Sequence, residues 1–165
     1  MTTHSKVMVF LVLSVSAGLV ALWGQAQKKP AIPFPTGYRH WNHVKSMVIF
    51  SNQHPLFARF GGLHSIYVND TGLVSLQQGK SYPDGTVFVF DLLDIRTVQG
   101  AIETRGRKAL GVMKKNAKAY AETGGWGWEV FENDAQKGSL KDMKQCFDCH
   151  VKQKRLDCVY STYTP

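Results

Sequence analysis

Cys146-Phe147-Asp148-Cys149-His150 gathers two thiols and an imidazole within five residues. Thiols three positions apart stand about one helical turn from each other, on one face of a helix. That spacing matches two thioether bonds to the two vinyl groups of a single haem. It also brings the next residue under the iron, where its imidazole can be the axial ligand. The same letters fit a redox-active C-x-x-C pair or half of a zinc site. A redox pair of that kind follows a strand-to-helix pattern, and here the motif sits in the last fifth of the chain. A zinc site needs a second ligand pair, and the sequence has no H-x3-5-H and no second C-x-x-C. The expectation is one covalent haem c, held by Cys146 and Cys149, with His150 as the proximal iron ligand.

The N-terminus supports an exported protein. Residues 1–6 are short and basic, residues 7–20 are nearly all apolar, and Gly24-Gln25-Ala26 is a small-x-small cleavage site. The apolar stretch falls short of the about 20 residues that a membrane span wants. Residues 1–26 therefore read as a signal peptide, with a retained anchor as the alternative, and the expected location is the periplasm. Removing Lys6 with that segment takes the net charge from +8 to +7. The cations are scattered rather than gathered in one stripe, which speaks against nucleic acid and leaves an acidic redox partner as the electrostatic expectation. Lys152, Lys154 and Arg155 come nearest to a patch. The third cysteine, Cys158, reads as an apolar filler on a short strand over residues 156–160.

The elements that must position the motif form a mixed α+β pattern. Pro30, Pro33 and Pro35 make residues 27–35 an extended lead-in to a single domain over 36–165. Strands are predicted over 44–50, 65–68, 86–93, 109–113 and 126–131, the strongest being TVFVFDLL with Phe88 and Phe90 on one face. Asn69-Asp70-Thr71-Gly72 offers a cap for a short helix over 73–78 that Gly79 ends. Tyr82-Pro83-Asp84-Gly85 is a turn. Residues 116–122 read as helical, and residues 134–150 as a loop leading into the helix that carries the motif. Four-helix cytochromes c′ also keep C-x-x-C-H near the C-terminus, but they lack runs like Thr86–Leu93. Residues 151–165 contain neither methionine nor histidine, so a sixth iron ligand would have to come from upstream.

Tyr38-Arg39-x-Trp41, Tyr67-Val68-Asn69, Tyr82-Pro83-Asp84-Gly85-Thr86-Val87, Gly124-Gly125-Trp126-Gly127-Trp128 and the terminal CFDCH…QK…D-C-V-Y resemble the cytochrome P-460 family, which includes cytochromes c′-beta. The resemblance implies a mostly antiparallel sheet with a few helices, a homodimer, and a five-coordinate c-type haem open to a small ligand. Within the family, cytochromes P-460 oxidise hydroxylamine and carry a lysine bonded to the haem. Cytochromes c′-beta lack that bond and bind nitric oxide or carbon monoxide in a phenylalanine-lined pocket. By the resemblance the cross-linking lysine falls at Phe90, and no lysine lies between Ser81 and Arg107. The binding protein is therefore expected over the enzyme, with Phe88 or Phe90 lining the distal face. Arg39, Trp126 and Trp128 are candidates for contact with the ring or its propionates. An enzyme would use Asp91, Glu103 or Glu129 to take protons. A plain electron carrier would take a sixth ligand from Met47, Met113, Met143 or, more weakly, His40, His43, His54 or His64.

Overall fold

The computed structural model describes residues 29–164. Five strands, β1 (Asn42–Ile49), β2 (Gly62–Val68), β3 (Val87–Val98), β4 (Ala101–Lys115) and β5 (Trp126–Glu132), lie side by side in chain order. Every neighbouring pair is antiparallel, so the sheet is a simple meander. Three helices join it: α1 (Phe57–Phe60), α2 (Asp70–Gln78) and α3 (Lys144–His150), the last carrying the cysteine motif. The expected α+β class, mostly antiparallel sheet with few helices, is the observed one. The expected signal peptide, residues 1–26, lies outside the described residues. Among the described residues no helix is long and apolar enough to cross a membrane.

Local chemistry explains most boundaries. Gly79 at φ 61 closes α2 in the left-handed region, as predicted, but the helix begins at Asp70 rather than Leu73, because the Asn69 side chain accepts from Gly72 N–H. β3 and β4 are joined by Gln99 and Gly100, both at positive φ (48 and 83), the geometry of a two-residue hairpin turn that follows the strand twist. Their hairpin runs past both neighbours. β2 pairs with β3 only as far as Leu93, and β5 pairs with β4 only back to Ala109. Residues 94–107 therefore form a two-stranded arm.

Three expectations are corrected. β4 is far longer than 109–113, because the charged stretch Glu103–Lys108 is held extended by pairing with β3. Residues 116–122 do not form an α-helix; only Ala121–Thr123 makes a single 3-10 turn. Tyr120 is pulled into the core there, its hydroxyl donating to the Pro30 carbonyl. Residues 156–160 are not a strand, since Asp157 and Cys158 both adopt left-handed backbone angles (φ 50 and 65).

Strand alternation splits the core into two layers. One face of the sheet carries Val68, Phe88, Met113 and Trp128 in a single cross-strand row, and packs with Leu76 of α2, Phe147 of α3, Cys158 and Val159. The opposite face carries Tyr67, Val89, Leu110, Val112 and Phe131, covered by Ile32, Phe34, Tyr38 and Tyr120. The proline-rich lead-in is thus part of the second layer. Gly127 makes that layer possible, because a Cβ there would lie 2.4 Å from the Tyr120 ring. Trp126 and Trp128 flank it and point to the first face.

Candidate functional site

Helix α3 is short and lies on the first face against β5. The Asp142 carboxylate accepts from the Lys144 N–H at its start, and Lys144 pairs with Asp148 one turn on. Cys146 is half-buried and Cys149 exposed, so the two thiols one turn apart straddle the edge of the core. Phe147 and His150 turn inward onto Trp128, with ring centroids 6.0 and 5.7 Å away. Burial pushes the Cys146 thiol above its ordinary range, with the Arg59 guanidinium opposing more weakly. A redox or nucleophilic cysteine needs the opposite shift.

His150 is fixed from behind. Its Nδ1 lies 2.8 Å from the Cys158 carbonyl, and an oxygen acceptor requires that Nδ1 be the donor. The proton is thereby held on Nδ1, and the Nε2 lone pair is left available. Burial lowers the pKa, the hydrogen bond to Cys158 opposing it, so the neutral form is favoured. Tyr160 packs edge-on to the imidazole at 5.3 Å and donates its hydroxyl to the Cys149 carbonyl. An imidazole so oriented is ready to bind a metal through Nε2.

Phe88 and Phe90 share the first face but not their surroundings. Phe88 is 5% exposed and packs on Tyr82 and Trp126, at 5.1 and 6.2 Å, inside the sheet–helix core. Phe90 is only half-buried. It occupies the next row, between Ile66 and Gly111, and meets Phe60 of α1 at 5.7 Å and His64 at 4.8 Å. A Cβ on Gly111 would make ordinary contact with Phe90, 3.5 Å from its Cβ, so packing alone does not demand glycine there. His64 is buried, and its Nε2 is engaged by the Phe60 carbonyl.

The remaining candidates are dispersed. Asp91 faces the opposite layer, where Tyr38, Arg39 and Arg107 all donate to its carboxylate. Arg39 is therefore also on the far side from the cysteine motif. Glu103 pairs with Arg96 on the arm, and Glu129 accepts from the Val130 and Leu140 N–H groups, clipping the loop that leads to α3. Met47 is exposed on β1, Met113 lies in the core row between Phe88 and Trp128, and Met143 directly precedes α3. His40 and His54 are exposed, and His43 bonds Ser46. Trp126 donates to Asp157, whereas the Trp128 indole N–H is buried without a partner.

Sequence reading missed four residues of this neighbourhood: Phe60, Lys115, Asp157 and Tyr160. Only the last two had a signal, as letters of the terminal D-C-V-Y.

The donor set fits a haem better than its rivals. Among the described residues no group of three or more His, Cys, Asp or Glu side chains is arranged to hold a metal ion. A zinc site thus lacks its further ligands. The antiparallel meander is not the parallel strand–helix unit of a C-x-x-C oxidoreductase. What remains is a tautomer-fixed imidazole, two thiols on one helix face, a floor of aromatic rings and an unpartnered buried indole N–H. A shallow cavity of about 400 Å³ lies elsewhere, between the end of α2 and the C-terminal tail around Tyr163. No curated protein matches the chain. The family model for Cytochrome P460 matches residues 35–161, which spans all five strands and α3. The chain belongs to the cytochrome P460 family, and is a haem cytochrome of the c type.

Proposed function

We propose that this is an exported, periplasmic cytochrome with one covalent haem c on Cys146 and Cys149, and with His150 as the only protein ligand to the iron. The haem supplies an iron with one open position at which nitric oxide or carbon monoxide binds. The observation that carries the reading is the group Phe90, Phe60 and His64. Phe90 stands where the resemblance expects the cross-linking lysine, its neighbours are rings, and the one polar group among them is engaged by a backbone carbonyl. The aromatic surface of Phe90 and Phe60, with the Arg59 guanidinium 5.4 Å from the Phe60 ring, supports binding of a diatomic ligand, and His64 is not free to relay protons. Absorption spectra of the ferrous protein with and without nitric oxide test it. A five-coordinate, high-spin spectrum that changes on addition of the gas is expected, and a low-spin spectrum before addition would reject it.

One observation favours a second reading, hydroxylamine oxidation. Lys45 is exposed on β1 and shares by register the row of Ile66 and Phe90. It stands two strands, about 10 Å, from Phe90. A haem-bearing tryptic peptide containing Lys45, or one from residues 81–96, would establish the enzyme.

Partners follow from charge and shape. Lys152, Lys154 and Arg155 are exposed on the 3-10 segment Val151–Leu156 that directly follows His150, which supports an acidic redox partner. The arm supports a homodimer: Ile95, Thr97, Ile102 and Thr104 form one uncharged face, while Arg96–Glu103 and Asp94–Arg105 ion pairs lie along the other. Sedimentation should give a dimer that Ile102→Lys dissociates.

A further inference from the structure

Behind the proximal histidine lies a buried ion pair that the motif itself does not contain. Asp157 accepts from the Lys115 ammonium at 2.7 Å, from the Trp126 indole N–H at 3.2 Å and from the Tyr82 backbone N–H at 2.9 Å. Lys115 is 8% exposed, also donates to the Gly124 carbonyl, and sits 4.8 Å from the Trp126 ring. These contacts bind the C-terminal segment to β4 and β5 at the point where the chain reverses. The reversal uses two consecutive left-handed residues, Asp157 and Cys158. Asparagine, aspartate and glycine tolerate that conformation, whereas cysteine holds it only under constraint from its surroundings. The constraint delivers the Cys158 carbonyl to His150 Nδ1.

Resting on the haem reading above, we propose that Asp157, locked by Lys115, is a positioning residue that sets the strength of the His150 Nδ1–H hydrogen bond and hence the electron density at the iron. A carbonyl held firmly on Nδ1–H makes the imidazole a stronger donor through Nε2. Loosening Asp157 weakens that bond, and the iron becomes easier to reduce.

Asp157→Gly tests this, because glycine keeps the left-handed backbone while removing the carboxylate that Lys115, Trp126 and Tyr82 hold. Haem attachment by intact mass should be unchanged. The ferrous iron–histidine stretching band should move to lower frequency and broaden, and the reduction potential should rise. Asp157→Asn, which keeps one acceptor oxygen for either the Tyr82 N–H or the Trp126 indole N–H, should shift both in the same direction by less. An unaltered band and potential in Asp157→Gly carrying full haem would overturn the proposal. Should that variant not accumulate, Trp126→Phe removes one donor to Asp157 and must show the smaller shift in the same direction, or the proposal fails. A parent protein without covalent haem would sink the haem reading instead. In that event the His150 Nδ1–H proton, seen by NMR in the apoprotein, must exchange slowly in the parent and rapidly in Asp157→Gly.

Discussion

Phe90 and Asp91 are neighbours in β3, yet they face opposite sides of the sheet and stand in opposite kinds of interior. Asp91 is 1% exposed and saturated by Tyr38, Arg39 and Arg107, a polar knot that leaves no capacity for anything else. Around Phe90 the first face is aromatic and half-buried, flanked by Gly111 and, one row on, by the unpartnered Trp128 N–H. Satisfied buried charge locks a structure and resists alteration. An aromatic surface on the same sheet face as a fixed imidazole is suited to accept a flat prosthetic group. Both faces are packed, and only the first carries the cysteine motif.

The sharpest way to break this division is to act on each face and read both. Replacing Cys146 and Cys149 by serine should abolish haem in the intact mass of protein matured in a periplasm. Retained covalent haem would remove the chemistry from this face altogether. Next in size, Asp91→Ala leaves Arg107, whose side chain is 12% exposed, without its buried partner. Losing one member of such a pair costs about 3–5 kcal/mol, which urea unfolding would show as a lower midpoint. The spectrum of whatever folds should match the parent, and an altered ligand spectrum would mean the two faces are coupled.

Phe90→Ala should act on the first face alone. Carbon monoxide association with the ferrous protein is expected to quicken about tenfold, a barrier lower by ~1.4 kcal/mol. An unchanged rate would return Phe90 to a packing role like that of Phe88.

The smallest expected effect is a pH dependence centred on His64. Burial, the larger influence, pushes its pKa down, and the hydrogen bond to the Phe60 carbonyl partly opposes this. The folded state thus holds the proton less tightly than the unfolded chain. His64 therefore disfavours folding only in acid, with no penalty above the ordinary histidine value of about 6.5 and a growing one below it. Thermal midpoints should fall between pH 7 and pH 5, and His64→Phe should flatten that part of the profile. A profile identical to the parent's would show that His64 contributes nothing to it.

Legibility in the sequence tracked how local the information was. The motif could be read directly, because Cys146, Cys149 and His150 interact at helical spacing and need no distant partner. Thr86–Leu93 was legible as a strand for the same reason: its alternation is written in consecutive residues. β4 was not, since Glu103-Thr104-Arg105-Gly106-Arg107 has no strand pattern of its own and is extended only because β3 lies beside it. Asp91 looked like a proton acceptor for an active site, and only the register with Leu110 and Phe131 turned it to the far face.

The sequence by itself therefore determined the family, the two thiols and the imidazole set at helical spacing, the strand-rich class and the strip of aromatics on β3. Only the tertiary structure decided which side of the sheet each of these serves. It separated Phe88 from Phe90, tied up His64, and carried the Cys158 carbonyl to His150 through a lysine 42 positions before Asp157. The physical reason is range. Helical spacing and strand alternation act over a few residues and are fixed by backbone geometry, whereas hydrogen bonds and burial join whatever the folded chain brings within about 3 Å.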